Sequence, residues 1–420
     1  MKRAHVIGAG LAGLSAAIAL VKAGHAVTLS EAAPQAGGRC RSYHDPQLGL
    51  TIDNGNHLVL SGNMAVQHYL ATIGASDRLA GPEEARFSFI DAETGQRWCI
   101  QPNSGPVPWW IASPRRRVPG SVIGDYLDLA RLLRAGPEVR VADAMVSSGP
   151  LWERLIEPFL LAALNTPAAE GSARLAGAVV RETLARGGHA YRPRIAKPTL
   201  AAAFVEPALA WLDGHGASIR LGRRLRMMAM DSDCVTSLDF GEDVEAIAPG
   251  EPVVLAVPSW SASALLPDLV VPDRHHAIIN AHFRVVPPAG AEPMIGVIGG
   301  VAEWIFAFAD RISVTISAAD ALLAGDRALL AARIWRDVAA AHGLEEALPA
   351  WQIVAEKRAT FAATPEQDRL RPGSRTAWRN LLLAGDWTQT GLPATIEGAI
   401  RSGETAAAAA RAMDGGNAPD

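Results

Sequence analysis

The chain opens with residues suited to holding phosphate. Gly8, Gly10 and Gly13 stand in "VIGAGLAGLS" at the spacing G-x-G-x-x-G, which lets backbone approach a pyrophosphate. The apolar residues 4–7 before them predict a short buried strand. Those after, Ala12 in the first turn, predict a helix to about Lys22 that Gly24 stops. The free N–H groups of such a helix and its positive dipole end suit an anion. A second strand is expected over 26–30, with Glu31 at its tip, about 20 residues on, where a carboxylate meets ribose hydroxyls. The plain alternative is a glycine-rich turn without a ligand; the strand, helix and acid around the motif argue against it. The motif does not separate NAD from FAD.

Two further stretches carry compatible chemistry. "EAAPQAGGRCRS" sets Gly37 and Gly38 before Arg39. Paired glycines allow close backbone approach, and an arginine can form forked hydrogen bonds to phosphate oxygens. "TIDNGNHLVL" follows, with Asp53, Gly55, Asn56 and His57 in the pattern D-x-G-x-H. Near the other end, "NLLLAGDWTQTGLPATIEGAIRSG" reads as a buried strand, the pair Gly385-Asp386, and a helix from about Thr395 and Ile396.

On these residues the chain resembles the amine oxidase and phytoene desaturase group of flavoproteins. That resemblance implies FAD. It places Gly38 and Arg39 along the pyrophosphate, and Gly55, Asn56 and His57 beside the isoalloxazine. It sets Asp386 near the ribityl and phosphate part. Thr395 and Ile396 would aim helix amides at the flavin edge that is anionic when reduced, a contribution of ~0.3–2 kcal/mol. Leu225 completes this set of cofactor contacts. No cysteine lies near the C-terminal flavin segment, so the FAD is expected to be non-covalent. Cys40 is read as a small packing residue.

These residues need elements to position them. The fold class is α/β: a Rossmann-like FAD-binding domain with an inserted α+β substrate domain. The cofactor domain is discontinuous, taking residues 1–60, 198–258 and 377–412, with 61–197 and 259–376 forming the substrate domain and 413–420 a frayed tail. Leu200, Phe204, Leu209 and Leu212 give the middle piece an apolar helical face that Gly214 and Gly216 end, before the strand "SIRLG". "AIINAHFRV" and "EWIFAFADRISVTIS" alternate as strands do, and a helix is expected over about 320–342. Only one dinucleotide motif is visible, so electrons reach the flavin from an external donor.

Composition narrows the partners. The 420 residues carry a formal net charge of −4, which argues against nucleic acid. The three cysteines are far apart, with no disulfide framework or metal-ligand spacing. Residues 1–20 lack the pattern of a signal peptide, and no apolar run is long enough to span a bilayer. A cytoplasmic protein is expected, with a peripheral seat on the inner face of the membrane as a second possibility. "GPVPWWIASPRRRVPG" raises that possibility, because Trp109 and Trp110 stand beside Arg115, Arg116 and Arg117. The alternative is a packed Trp pair and three solvated arginines. Eleven Trp against four Tyr point to aromatic surface for an apolar ligand.

A narrower resemblance rests on "TIDNGNHLVLSGN", "LWERLIEPFLLAALNTPAAEGSA", "AIINAHFR", "EWIFAFADRISVTISAAD", "EKRATFAATPEQDRLRP" and the "GDWTQTGLPATIEGAIRSG" end. These segments, spread over nearly the whole chain, look like the bacterial hydroxysqualene dehydroxylases. The resemblance implies a step of squalene supply to hopanoids, in which hydroxysqualene and reduced FAD give squalene, water and oxidised FAD. The substrate is then an apolar C30 isoprenoid. Such chemistry needs an acid, a dry cavity and aromatic faces. Glu157, on an otherwise apolar helix, and Lys357, in "EKRATF", are the catalytic candidates. Trp152, Asn165, Trp304 and Phe306 are candidates for the cavity wall, each with ordinary core packing as its alternative. A carotenoid or phytoene-type desaturase and an oxygen-dependent amine or porphyrin oxidase are the competing enzyme readings. A non-catalytic FAD-containing scaffold is the third.

Overall fold

The computed structural model describes residues 2–415. Five parallel strands form one sheet in the order Ser218–Arg220, Ala26–Ser30, Arg3–Ile7, Val253–Leu255, Leu381–Leu383. The inner strands are buried on both faces, as apolar runs such as Val253–Leu255 require. Helix Leu11–Lys22 leaves the central strand and packs against helix Ile396–Gly415, which leaves the neighbourhood of the last strand. Gly403 makes that contact close: a Cβ there would lie 2.2 Å from the Ala12 carbonyl oxygen.

A second sheet has seven strands in the order Trp351–Phe361, His275–Phe283, Ile312–Ile316, Trp304–Ala307, Met294–Ile298, Phe87–Asp91, Arg97–Ile100. All its pairs are antiparallel except Met294–Ile298 with Phe87–Asp91. One face packs on helix Arg327–His342 through Phe283, Ile334, Trp335 and Val338. The helix expected over 320–342 thus begins at Arg327. Residues Ala319–Leu322 form a separate 3-10 turn, and Asp326 caps the helix by accepting from the N–H groups of Ala328 and Leu329 at 2.8 and 2.9 Å. The middle helix is likewise in two parts, a π-turn at Ala201–Val205 and an α-helix at Glu206–Gly214. Helix Ile396–Gly415 takes in the start of the tail expected over 413–420, and 416–420 lie outside the described residues. No helix among the described residues is long and apolar enough to cross a membrane.

Candidate functional site

A single cavity of about 1310 Å³ runs between the ends of the parallel strands and the open face of the seven-stranded sheet. Typical small-molecule pockets hold ~300–1,000 Å³, so this one has room for two ligands end to end. One end is made of glycine, arginine and asparagine, the other of aromatic and aliphatic side chains.

At the polar end, Gly8, Gly10, Ala12, Glu31, Gly38 and Arg39 share the wall. Gly8 has φ +107°, and a Cβ there would meet the Ala256 carbonyl oxygen at 2.4 Å, so only glycine fits. Helix Leu11–Lys22 starts at Gly10 with no side-chain cap and no acid in its first turn. A Cβ on Gly10 would find no atom within 4 Å, so that space is open. Gly13 does not line the cavity. Its Cβ would lie 1.8 Å from the Gly8 carbonyl oxygen, so it seats the helix on the turn instead. Glu31 accepts from the N–H groups of Ala9 and Ala33 at 2.7 and 2.8 Å, which fixes its carboxylate at the wall.

The distant segments meet here. Arg39 donates to Asp386 Oδ1 at 2.7 Å and to the Ala359 carbonyl oxygen. Its fork is therefore engaged by protein groups rather than turned wholly to the cavity. The physical reason is the acid beside it: Asp386 is buried and faces Arg39 across the site. Gly385, Asp386, Thr395, Ile396 and Leu225 also line the wall. The Thr395 hydroxyl accepts from the Gly398 N–H at 3.0 Å and so begins the last helix.

Gly55, Asn56 and His57 lie where the two ends join. Asp53 does not line the cavity. It is buried and braces the segment, accepting from the Ser42 hydroxyl at 2.6 Å and the Leu200 N–H at 2.8 Å, with Arg311 at 3.4 Å. Asn56 donates to the Thr315 hydroxyl at 3.2 Å, and Thr315 donates to Asn280 Oδ1 at 2.8 Å. The Asn56 side-chain oxygen has no hydrogen-bond partner among the described residues. Burial, aided by the Arg39 guanidinium and opposed by Asp386, pushes the His57 pKa down to about 4, leaving a neutral imidazole near pH 7.

At the apolar end, Trp304 and Phe306 line the wall with Phe89, Trp110 and Phe159. The buried Trp304 ring N–H has no hydrogen-bond partner among the described residues. Asn165 lines the wall and bridges strands, donating to the Thr360 hydroxyl at 2.9 Å and accepting from the Ala318 N–H at 2.6 Å. Three expectations fail here. Glu157 is exposed and outside the cavity: Leu155 and Ile156 of the π-turn Trp152–Ile156 before its helix, and Phe159, Ala162 and Ala163 on helix Glu157–Leu164, face the cavity instead. Lys357 is exposed and outside it too: its neighbours Glu356 and Arg358 turn to the cavity, as do Ala359 and Thr360 further along strand Trp351–Phe361, and Lys357 points away between them. Trp152 is buried in the core beneath the cavity rather than in its wall. Cys40 lines the wall as well as packing, and burial pushes its thiol up to about 12.

Thr315, Ser317, Asn280 and Arg358 also reach the cavity and were missed by sequence reasoning. The available signal was polarity out of place, as with Asn280 inside the apolar strand "AIINAHF".

The flavin containing amine oxidoreductase pattern matches residues 11–287 and 306–411. A hydroxysqualene dehydroxylase of Rhodopseudomonas palustris is 54% identical over 407 residues, covering 97% of each chain. One from Sinorhizobium fredii is 52% identical over 406 residues, again 97% of each. The chain belongs to the hydroxysqualene dehydroxylase family. Within the flavin-containing amine oxidoreductases, it is a flavin-dependent oxidoreductase. Cyclohexylamine oxidase from Brevibacterium oxydans shares its fold, with a TM-score of 0.70 over 98% of this chain and 99% of that one, at 15% identity. The cavity suits the cofactor of such a family. It offers an uncapped helix terminus, open space above Gly10, and an unpartnered buried acceptor on Asn56.

Proposed function

We propose that this chain reductively dehydroxylates hydroxysqualene to squalene, using non-covalently held FAD and an external electron donor. The observation that carries this reading is the relatedness to hydroxysqualene dehydroxylases over 97% of both chains. When bound, reduced FAD supplies the hydride that replaces the hydroxyl. Gly8, Gly10, Ala12, Glu31, Gly38 and Arg39 would hold the dinucleotide. Gly55, Asn56, His57, Leu225, Gly385, Asp386, Thr395 and Ile396 would surround its flavin half, while Gly13 keeps the helix seated. The first amides of helix Ile396–Gly415 favour negative charge beside them, by ~0.3–2 kcal/mol.

The apolar walls exclude water from an allylic cation that water would otherwise capture. Trp110, Trp304 and Phe306 line these walls, and an aromatic face turned to that charge would contribute ~0.5–2 kcal/mol per good contact. The neutral His57 adds no positive charge to oppose it. The buried, fully protonated Cys40 thiol favours non-covalent binding. Acid precipitation is then expected to release all yellow colour into the supernatant; colour in the pellet contradicts non-covalent binding.

Membrane contact belongs to the same proposal. Segment 105–133 turns Trp110, Ile111, Leu129 and Leu133 to the cavity and leaves Val107, Trp109, Val122, Ile123 and Leu127 exposed. Arg116 lies 5.0 Å over the Trp109 ring, and Arg115 is exposed beside it. Apolar side chains beside arginines fit an anionic headgroup layer, from which a long isoprenoid could enter.

The test is an incubation without oxygen, with chemically reduced enzyme and hydroxysqualene. Squalene is the expected product. Peroxide from amines in air supports an oxidase instead, and a desaturated isoprenoid supports the desaturase; either result overturns the proposal.

A further inference from the structure

Loss of a hydroxyl as water requires a proton, and neither Glu157 nor Lys357 reaches the cavity. The acid of interest lies on the seven-stranded sheet. Ser317 directly follows strand Ile312–Ile316 and lines the cavity, two residues beyond Thr315, which lines it too. Thr315 belongs to the Asn56–Thr315–Asn280 cluster, where the polar and apolar ends meet. Asn165, also in the wall, accepts from the next N–H, that of Ala318, and thereby holds the backbone at Ser317 in place. Behind Ser317 is Glu303, just before strand Trp304–Ala307. Its carboxylate accepts from the Ser317 N–H at 2.7 Å, which sets it on the residue whose side chain reaches the cavity.

We infer that the Ser317 hydroxyl hands a proton to the leaving hydroxyl of the substrate and that Glu303 replenishes it from behind. This rests on the proposed dehydroxylation. In the step, the substrate C–O bond breaks and the oxygen leaves as water with the Ser317 proton. Ser317 takes the Glu303 proton, leaving a carboxylate. The carbon gains its two electrons and hydrogen from the reduced cofactor, and solvent reprotonates Glu303 between turnovers. Ser317 would touch the substrate; Glu303 acts through it and is a positioning and proton-supplying residue.

The surroundings of Glu303 keep its proton available. Burial pushes its carboxyl up to about 7, opposed by the Ser317 N–H and hydroxyl. Asp337, on helix Arg327–His342, spends its carboxylate on the N–H groups of Val301 and Ala302 at 2.6 and 2.9 Å. On the other side of Ser317, Asp320 pairs with His276 at 2.8 Å.

The test compares Glu303→Gln, Ser317→Ala and Ser317→Thr in flavin-loaded enzyme. Glu303→Gln and Ser317→Ala should lower kcat ~10²-fold or more, with KM and bound flavin within about threefold of the parent, and Ser317→Thr should recover most of the rate. Parent kcat should fall as pH rises through about 7, and Glu303→Gln should lose that limb. The infrared band of a protonated carboxylic acid should fade over the same range in the parent and be missing in Glu303→Gln. Rates for both damaged variants within about threefold of the parent, or a pH limb surviving in Glu303→Gln, overturn the inference. If the parent itself forms no squalene, the functional reading fails instead. The infrared titration still decides whether Glu303 holds a proton near neutral pH; a carboxylate ionised well below that range overturns the inference.

Discussion

Gly10 and Gly13 belong to one motif and serve different ends. A Cβ at Gly13 strikes backbone 1.8 Å away, whereas one at Gly10 enters open cavity. Gly13→Ala should therefore destabilise the fold by ~1–3 kcal/mol or more, seen as a lower Tm. Gly10→Ala should melt like the parent and weaken flavin uptake, measured by titration, because its methyl occupies the proposed phosphate approach. Equal melting of the two variants would contradict the division. His282 supplies a pH prediction. It is fully buried, with Nδ1 2.8 Å from the Ser313 hydroxyl, and burial, then nearby Arg311, pushes its pKa down to about 3. An unfolded histidine titrates near ~6.5. Above that value the two states bind protons alike. As pH falls from there toward about 3, the unfolded state gains a proton that the folded state refuses, and stability declines. His282→Asn should flatten that decline in denaturant titrations; an unchanged slope would contradict it. The glycine motif and Glu31 were legible as phosphate and ribose chemistry from their spacing, whereas Arg39 was singled out through the family resemblance. Glu157 and Lys357 were misread because residue type says nothing of facing: each sits on an element whose cavity-facing positions are its neighbours. Glu303 and Ser317 become visible only once two strands are paired.

At the scale of elements, the C-terminal strand–turn–helix depends on a residue well outside it. Arg371 is almost fully buried. It donates to the carbonyl oxygens of Asp386 and Thr388 and to the Thr390 hydroxyl, and it pairs with Asp368 at 3.1 Å. Its guanidinium also lies 4.8 Å over the Phe361 ring. Arg371→Leu removes these donors and strands Asp368, although Arg174 still contacts that acid. A loss of ~3–5 kcal/mol is expected in equilibrium unfolding, with weaker flavin retention because the backbone of the turn at Asp386 and Thr388 loses its donor. A loss below ~1 kcal/mol would mean that the turn stands on its own. The βα junctions at both ends were readable from the sequence, since each is a local strand, turn and helix with glycine at the break. The helix start at Arg327 was not, because apolar periodicity extends past the Asp326 cap. The partner order of the seven strands was also hidden, since it is set by contacts between residues such as Phe87–Asp91 and Met294–Ile298, far apart in the chain.

For the whole molecule, the consequential feature is a cavity that joins a glycine-lined cradle to an aromatic wall between two sheets. Its outer segment carries the exposed apolar patch, with Leu127 69% and Trp109 57% exposed. Trp109→Ser with Leu127→Ser should abolish sedimentation with anionic vesicles at low salt while leaving turnover of detergent-dispersed substrate unchanged; equal sedimentation would contradict the membrane contact. That the three separated stretches share one cavity wall, the proposed cofactor cradle, was foreseeable in outline. Where that wall joins the aromatic end was not, since Asn56, Thr315 and Asn280 meet only in the folded chain. The measurement that bears most directly on the account is anaerobic stopped-flow of the reduced holoenzyme with hydroxysqualene. The account predicts that oxidised-flavin absorbance returns in a single turnover with one squalene formed per flavin. Flavin that stays reduced in the presence of substrate, or reoxidises without squalene, would contradict it.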